Sequence, residues 1–137
     1  MASVYVGIAA AARNIAVEAV KVGTGCLWLI QDYPGTQYAV AEICIRIRAT
    51  TFIRQTAQRL AGEPERRDAQ SLALAISTKV FATDERQKVV NTAMQTVGGR
   101  AKQSPLERMY RDVRQGKIHP YETITTLWRS SGRRGWG

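Results

Sequence analysis

Apolar residues recur at three- and four-residue intervals along almost the whole chain. No run alternates with period two for long enough to make a convincing sheet. The pattern predicts a first helix over about Ala2 to Val22, with Val4, Ile8, Ile15 and Ala19 on one face and Gly23-Thr24-Gly25 as its stop. Asp32-Tyr33-Pro34-Gly35 reads as a turn. A second helix follows from about Thr36 to Ala61, its stripe drawn from Tyr38, Ala41, Ile45, Phe52 and Ala57. Ile43, Ile45 and Ile47 alternate with other residues like a strand, but the segment is long and contains no breaker, so the helix is preferred. Glu42 and Arg46 form an i,i+4 pair in the favourable order.

A third helix starts near Pro64 to Asp68 and stops at Gly98, with Leu72, Ile76, Val80, Val90, Met94 and Val97 as its stripe. Its length, on the order of 45 Å at 1.5 Å per residue, calls for partners on both sides. Ser104, Pro105 and Glu107 then make a capping box with proline at the first helical position. The fourth helix runs to Gln115, with Gly116 as its stop, and His119-Pro120 opens a last short helix carrying Thr123 to Trp128. The expected fold is all-α: one domain over residues 1–137, a four-helix up-down bundle with a short additional C-terminal helix.

The composition fits this picture. The chain has 137 residues, 45% hydrophobic and 23% charged. It is one domain by size and large enough to bury a core without cross-links. Cys26 and Cys44 have no metal spacing to His119, so no metal site is expected, and they read as reduced apolar thiols. The Ala-rich start lacks a basic leader and is interrupted by Arg13 and Glu18; no segment is long enough to span a membrane. A cytoplasmic protein is expected. The net charge of +9 is uneven, because residues 100–137 hold nine basic against three acidic side chains. Such an excess attracts phosphates of any kind. Tyr110, Tyr121, Trp128 and Trp136 lie among the basic residues, a weak stacking pattern for single-stranded nucleic acid. No nucleic-acid motif accompanies them, so a basic helical module binding nucleic acid or another polyanion is the lesser alternative.

The most informative segment is Gln95 to Arg114, QTVGGRAKQSPLERMYRDVR. It sets a helix end, a double glycine, a basic loop and a capped helix in succession. Glycines let a ligand come close to backbone, and a glutamine amide both donates and accepts hydrogen bonds. Read without any relative, Gly98-Gly99 is equally a plain helix stop. The segment is similar to the Q-x-x-G-G and P-x-E-R-x-x-R-D motifs of the acyl-CoA dehydrogenase superfamily. SVYVGIAAAARNIAVEAV resembles the opening helix of that family's C-terminal domain. YPGTQYAVAEICIRIRATTFIRQTAQRL resembles the second helix in its monooxygenase-like branch.

The resemblance implies a flavin, FAD or FMN, approached by Gln95, Gly98 and Gly99 and shared with a neighbouring subunit. It also implies an oxidoreductase. Glu107 with Arg111, and Arg108 with Asp112, are expected as structural ion pairs. Where the dehydrogenase branch carries I-Y-E-G-T with its general base, this chain reads Ile118-His119-Pro120-Tyr121-Glu122. Proline stands at the carboxylate's place. A histidine in this context resembles the flavin monooxygenase branch, which makes His119 the candidate catalytic residue; its ordinary pKa of about 6.5 suits proton transfer near neutrality. Family members also carry an N-terminal helical domain and a middle β-domain, and this chain opens with Met1 at the first bundle helix. The isolated chain is therefore expected to be inactive, and to work as a homo-oligomer or with a companion subunit that supplies the missing parts.

Overall fold

The computed structural model describes residues 2–22, 30–62 and 69–118. These form four helices: α1 (Ala2–Val22), α2 (Pro34–Ala61), α3 (Ala69–Val97) and α4 (Leu106–Ile118). Short 3-10 segments, Ile30–Asp32 and Gly98–Gln103, lead into α2 and α4. There is no strand among the described residues. The expected fifth helix, Thr123 to Trp128, lies outside them, as do the predicted stop Gly23-Thr24-Gly25 and the Pro64–Asp68 entry to α3.

The helices alternate in direction. Tyr5 lies beside Arg86 and Ala19 beside Arg100, so α1 runs parallel to α3. The first turn of α2 shares a groove with Gln95 and Thr96 near the end of α3. The last turns of α4 return to Thr83 and Arg86 in the middle of α3. Helix α3 packs against all three others, which explains its length. The expected all-α up-down bundle is the observed one.

The core is built from small residues on α1 and branched ones on α3 and α4. Ala9, Ala12 and Ala16 bury against Ile43, Val89, Val90, Ala93, Leu106 and Val113. Alanines bring α1 close to α3, and side chains from α3 fill the space they leave. The predicted α1 face is one step off this line. Ile8, Ile15 and Ala19 pack at its margin, and Val4 is exposed.

Helix α2 departs further from expectation. Its buried line is Ile43, Thr50 and Ala57, with Ile47 packed against the core. Of the predicted stripe only Ala57 is buried; Tyr38, Ile45 and Phe52 are 76%, 67% and 69% exposed. Two apolar rows with seven-residue spacing lie on opposite sides of this helix. Thr50 serves the inner row because its hydroxyl donates to the Arg46 carbonyl, 2.8 Å away, and so presents its methyl to the core.

Helix α4 also differs. It runs through Gly116 to Ile118 rather than stopping at the glycine. The capping box forms in half: the Leu106 N–H donates to Ser104 Oγ at 3.2 Å, while the Ser104 N–H donates to the Ala101 carbonyl rather than to Glu107. Glu107 instead leans towards Arg111, 3.7 Å away.

One charged cluster ties α2 to α3. Arg46 reaches Glu42 at 2.7 Å and Glu85 at 2.6 Å, and Lys88 reaches Glu85 at 2.6 Å. Glu85 is only 12% exposed. Burial alone pushes its carboxyl pKa up, but hydrogen bonds from Lys88 and Arg46 outweigh that and hold it below the usual 4.5. A depressed carboxylate stabilises the fold above its unfolded pKa, and that stabilisation is lost as the pH falls through the folded value. Glu85→Gln should therefore cost about 1–2 kcal/mol in urea unfolding at pH 7. The gap between variant and parent should close towards pH 3. An equal gap at both pH values would show that the carboxylate charge is not what matters.

Candidate functional site

The end of α3 and the turn after it present exposed backbone. Gln95 is exposed on the last turns of α3. With Thr92 and Thr96 it faces Gly35, Thr36 and Ala39 of α2 across an open groove of about 260 Å³. The Thr96 hydroxyl donates to the Thr92 carbonyl at 2.8 Å, while the exposed side-chain amide of Gln95 keeps both donor and acceptor capacity on this wall.

Gly98 has φ +68, the left-handed conformation that ends a helix and that glycine adopts without strain. Gly99 has no such constraint. Around both glycines a Cβ would meet nothing within 4 Å, and both are exposed. Crowding among the described residues therefore explains neither of them.

The rest of the turn is held firmly. Ala101 is buried in the core. Arg100 donates to the Ala19 carbonyl at 3.3 Å, where the last carbonyls of α1 lack helical partners. Lys102 stays exposed. The ion pairs expected on α4 are present but loose, Arg108–Asp112 at 3.9 Å and Arg111–Glu107 at 3.7 Å, on an exposed face where such pairs contribute little. Gln95, Gly98 and Gly99 are all exposed near the end of α3, and the groove that Gln95 lines does not include the glycines. His119, one residue beyond the end of α4, lies outside the described residues.

Arg86 is the residue that the sequence reading missed. It is 2% exposed, and Nε, Nη1 and Nη2 make no hydrogen bond. Its guanidinium stacks on Tyr5, 3.1 Å from the ring centroid. Burial pulls its pKa down to about 10, opposed by its attraction to Tyr5. The signal was available, because Arg86 stands in helical register with Ala82, Val89, Val90 and Ala93, all buried. Gly116 makes room for it: a Cβ there would overlap Nη2 and lie 3.3 Å from Cζ.

Among the described residues no group of His, Cys, Asp and Glu is arranged to hold a metal. Cys44 is a free thiol. No described helix is long and apolar enough to cross a membrane.

The up-down helical bundle is the architecture of a known domain type. Residues 1–122 match the acyl-CoA dehydrogenase C-terminal domain, and the chain belongs to that family. It is 33% identical over 123 residues to a putative acyl-CoA dehydrogenase of Bacillus subtilis, a match covering 86% of this chain and 32% of that protein. The chain thus spans about a third of the length of that relative. Among solved structures it resembles the flavoprotein nitroalkane oxidase with a TM-score of 0.87 at 20% identity, over 99% of this chain and 33% of that one. It also resembles dibenzothiophene monooxygenase of a Paenibacillus species, with a TM-score of 0.79 at 17% identity, over 99% and 39% of the two chains. At such identities these are likenesses of fold.

Proposed function

We propose that this chain is the flavin-binding helical domain of an oxidoreductase of the family, with FAD or FMN lying against Gln95, Gly98 and Gly99. The observation that carries this reading is the uncrowded backbone at Gly98 and Gly99, one turn beyond the exposed Gln95. These residues fit one wall of a nucleotide site: backbone that a ligand can approach closely, an amide that hydrogen-bonds, and an exposed Lys102 for phosphate. When bound, the flavin supplies the redox chemistry; the chain supplies contact and orientation. Among the described residues no side chain crowds the glycines, and a second polypeptide, either another copy or a companion subunit, is the proposed closure of the pocket that excludes water. His119 is the proposed proton carrier, and Ile118-His119-Pro120 in place of a carboxylate favours the monooxygenase-like branch. The free thiol of Cys44 accords with a reducing, cytoplasmic setting.

Titrating the full chain into FAD and into FMN, alone and with candidate companions, tests the reading through flavin fluorescence. Quenching is expected, and Gln95→Ala should weaken it about tenfold, the loss of one well-placed hydrogen bond. Fluorescence unchanged by any of these mixtures would defeat the proposal.

A further inference from the structure

Among the described residues, Arg86 is a buried cation with no counter-charge. All three guanidinium nitrogens are buried and make no hydrogen bond, so five N–H donors lack an acceptor. A pKa of about 10 keeps the group charged at neutral pH. The adjacent carboxylate, Glu85, is committed to Arg46 and Lys88. Beside the guanidinium lies a cavity of about 10 Å³. It is lined by Tyr5 and Ala9 of α1, Thr50 of α2, and Ala82, Arg86 and Val89 of α3. Such a volume holds one small particle, of the order of a water molecule.

We propose that this cavity is a binding site for a single small inorganic anion, chloride above all, held by the guanidinium of Arg86 between α1, α2 and α3. The site is independent of the flavin surface, since nine residues of α3, about 14 Å, separate Arg86 from Gln95. Chemistry distinguishes the anion from a water. A water accepts hydrogen bonds from Arg86 but leaves the charge uncompensated, and a buried unpaired charge is costly. Its own protons would also need acceptors, and Ala9, Ala82 and Val89 offer only alkyl surface. An anion needs donors alone, and it supplies the missing charge. Size then restricts the class. Chloride is only slightly larger than water, whereas phosphate, sulfate and organic carboxylates exceed a cavity of this volume. Tyr5 covers the guanidinium with its ring centroid 3.1 Å away, which leaves the N–H edges as the donors for the ion. An ion bound among three helices holds them together, so its binding is read as stability of the fold.

Urea unfolding of the full chain at constant ionic strength, with gluconate exchanged for chloride, tests the site. Gluconate is too large to enter. Between about 1 and about 100 mM chloride the folding equilibrium constant should rise roughly tenfold, as for a site with a dissociation constant of about 10 mM. Arg86→Met should remove this dependence. In gluconate the variant should be the more stable protein, and chloride should narrow the gap. A general salt effect would act on both proteins alike. Chloride-35 NMR reads binding without unfolding: the parent chain should broaden the line more than Arg86→Met does. Crystals of the parent soaked in bromide should show an anomalous peak within hydrogen-bond reach of the Arg86 guanidinium, a result that needs no variant. Chloride sensitivity that survives Arg86→Met, or a bromide peak only elsewhere, would overturn the assignment. Stability and line width both indifferent to chloride would overturn it as well and leave the cavity to water.

Discussion

Gly116→Ala destabilises this protein, although alanine in a helix interior ordinarily gains about 1 kcal/mol over glycine. The reason is Arg86. Gly116 lies inside α4, and a methyl group there would overlap Arg86 Nη2 and sit 3.2 Å from Thr83 Cγ2. An exposed guanidinium would swing aside, but this one is buried beneath Tyr5 with core on its other sides. Overpacking of this kind costs about 1–3 kcal/mol, which outweighs the gain in helix propensity. Arg86→Met alone should stabilise. Lowering a guanidinium pKa from 12.5 to about 10 corresponds to a penalty on the order of 3 kcal/mol for keeping the charge. That net shift already includes the attraction to Tyr5, so an apolar residue of similar length is expected to come out ahead, by about 1–3 kcal/mol. In the Arg86→Met background, Gly116→Ala should change sign and become stabilising. Urea unfolding of the four proteins measures this cycle. Additive effects would mean that Arg86 and Gly116 do not constrain one another.

Leu106→Ala is expected to cost about 3–5 kcal/mol, the largest loss from any single truncation in the bundle. Leu106 is 0% exposed and opens α4 directly after the Ser104 cap, among core residues from the other helices. Its removal leaves a cavity that rigid neighbours cannot fill, because the alanines of α1 already bring the backbones into close contact. A fall in the urea midpoint without a change in slope would confirm a loss of packing. A cost below about 1 kcal/mol would mean that α4 docks loosely.

The bundle was legible in the chain because three of its helices are long, with prolines and glycines at or near their ends, and the short α4 has a clear apolar stripe. Which side of α2 faces inward was not. Period alone cannot rank two apolar rows on one helix, and the larger side chains of Tyr38, Ile45 and Phe52 outbid the modest Ile43, Thr50 and Ala57. The inner row is small because α2 packs close to α3, a fact of tertiary structure. Gly116 misled for a related reason: glycine marks helix ends, but here it marks a close approach by a side chain remote in sequence. The candidate site was readable only through resemblance. Spacing gave Gly98-Gly99 no meaning beyond a helix stop, and the structure adds that crowding does not require Gly99. His119 stands one residue past the described end of α4, so its role rests on sequence alone.

The link between α3 and α4 is mostly the six-residue 3-10 segment Gly98–Gln103, with Ala101 sunk in the core and Arg100 bonded to the end of α1. Its amides are in place before anything arrives. A molecule landing there forfeits little chain freedom, since no loop has to fold around it. Affinity for the proposed ligand would thereby be decided when the polypeptide folds, and changes that loosen the anchoring side chains would erode it without touching the guest.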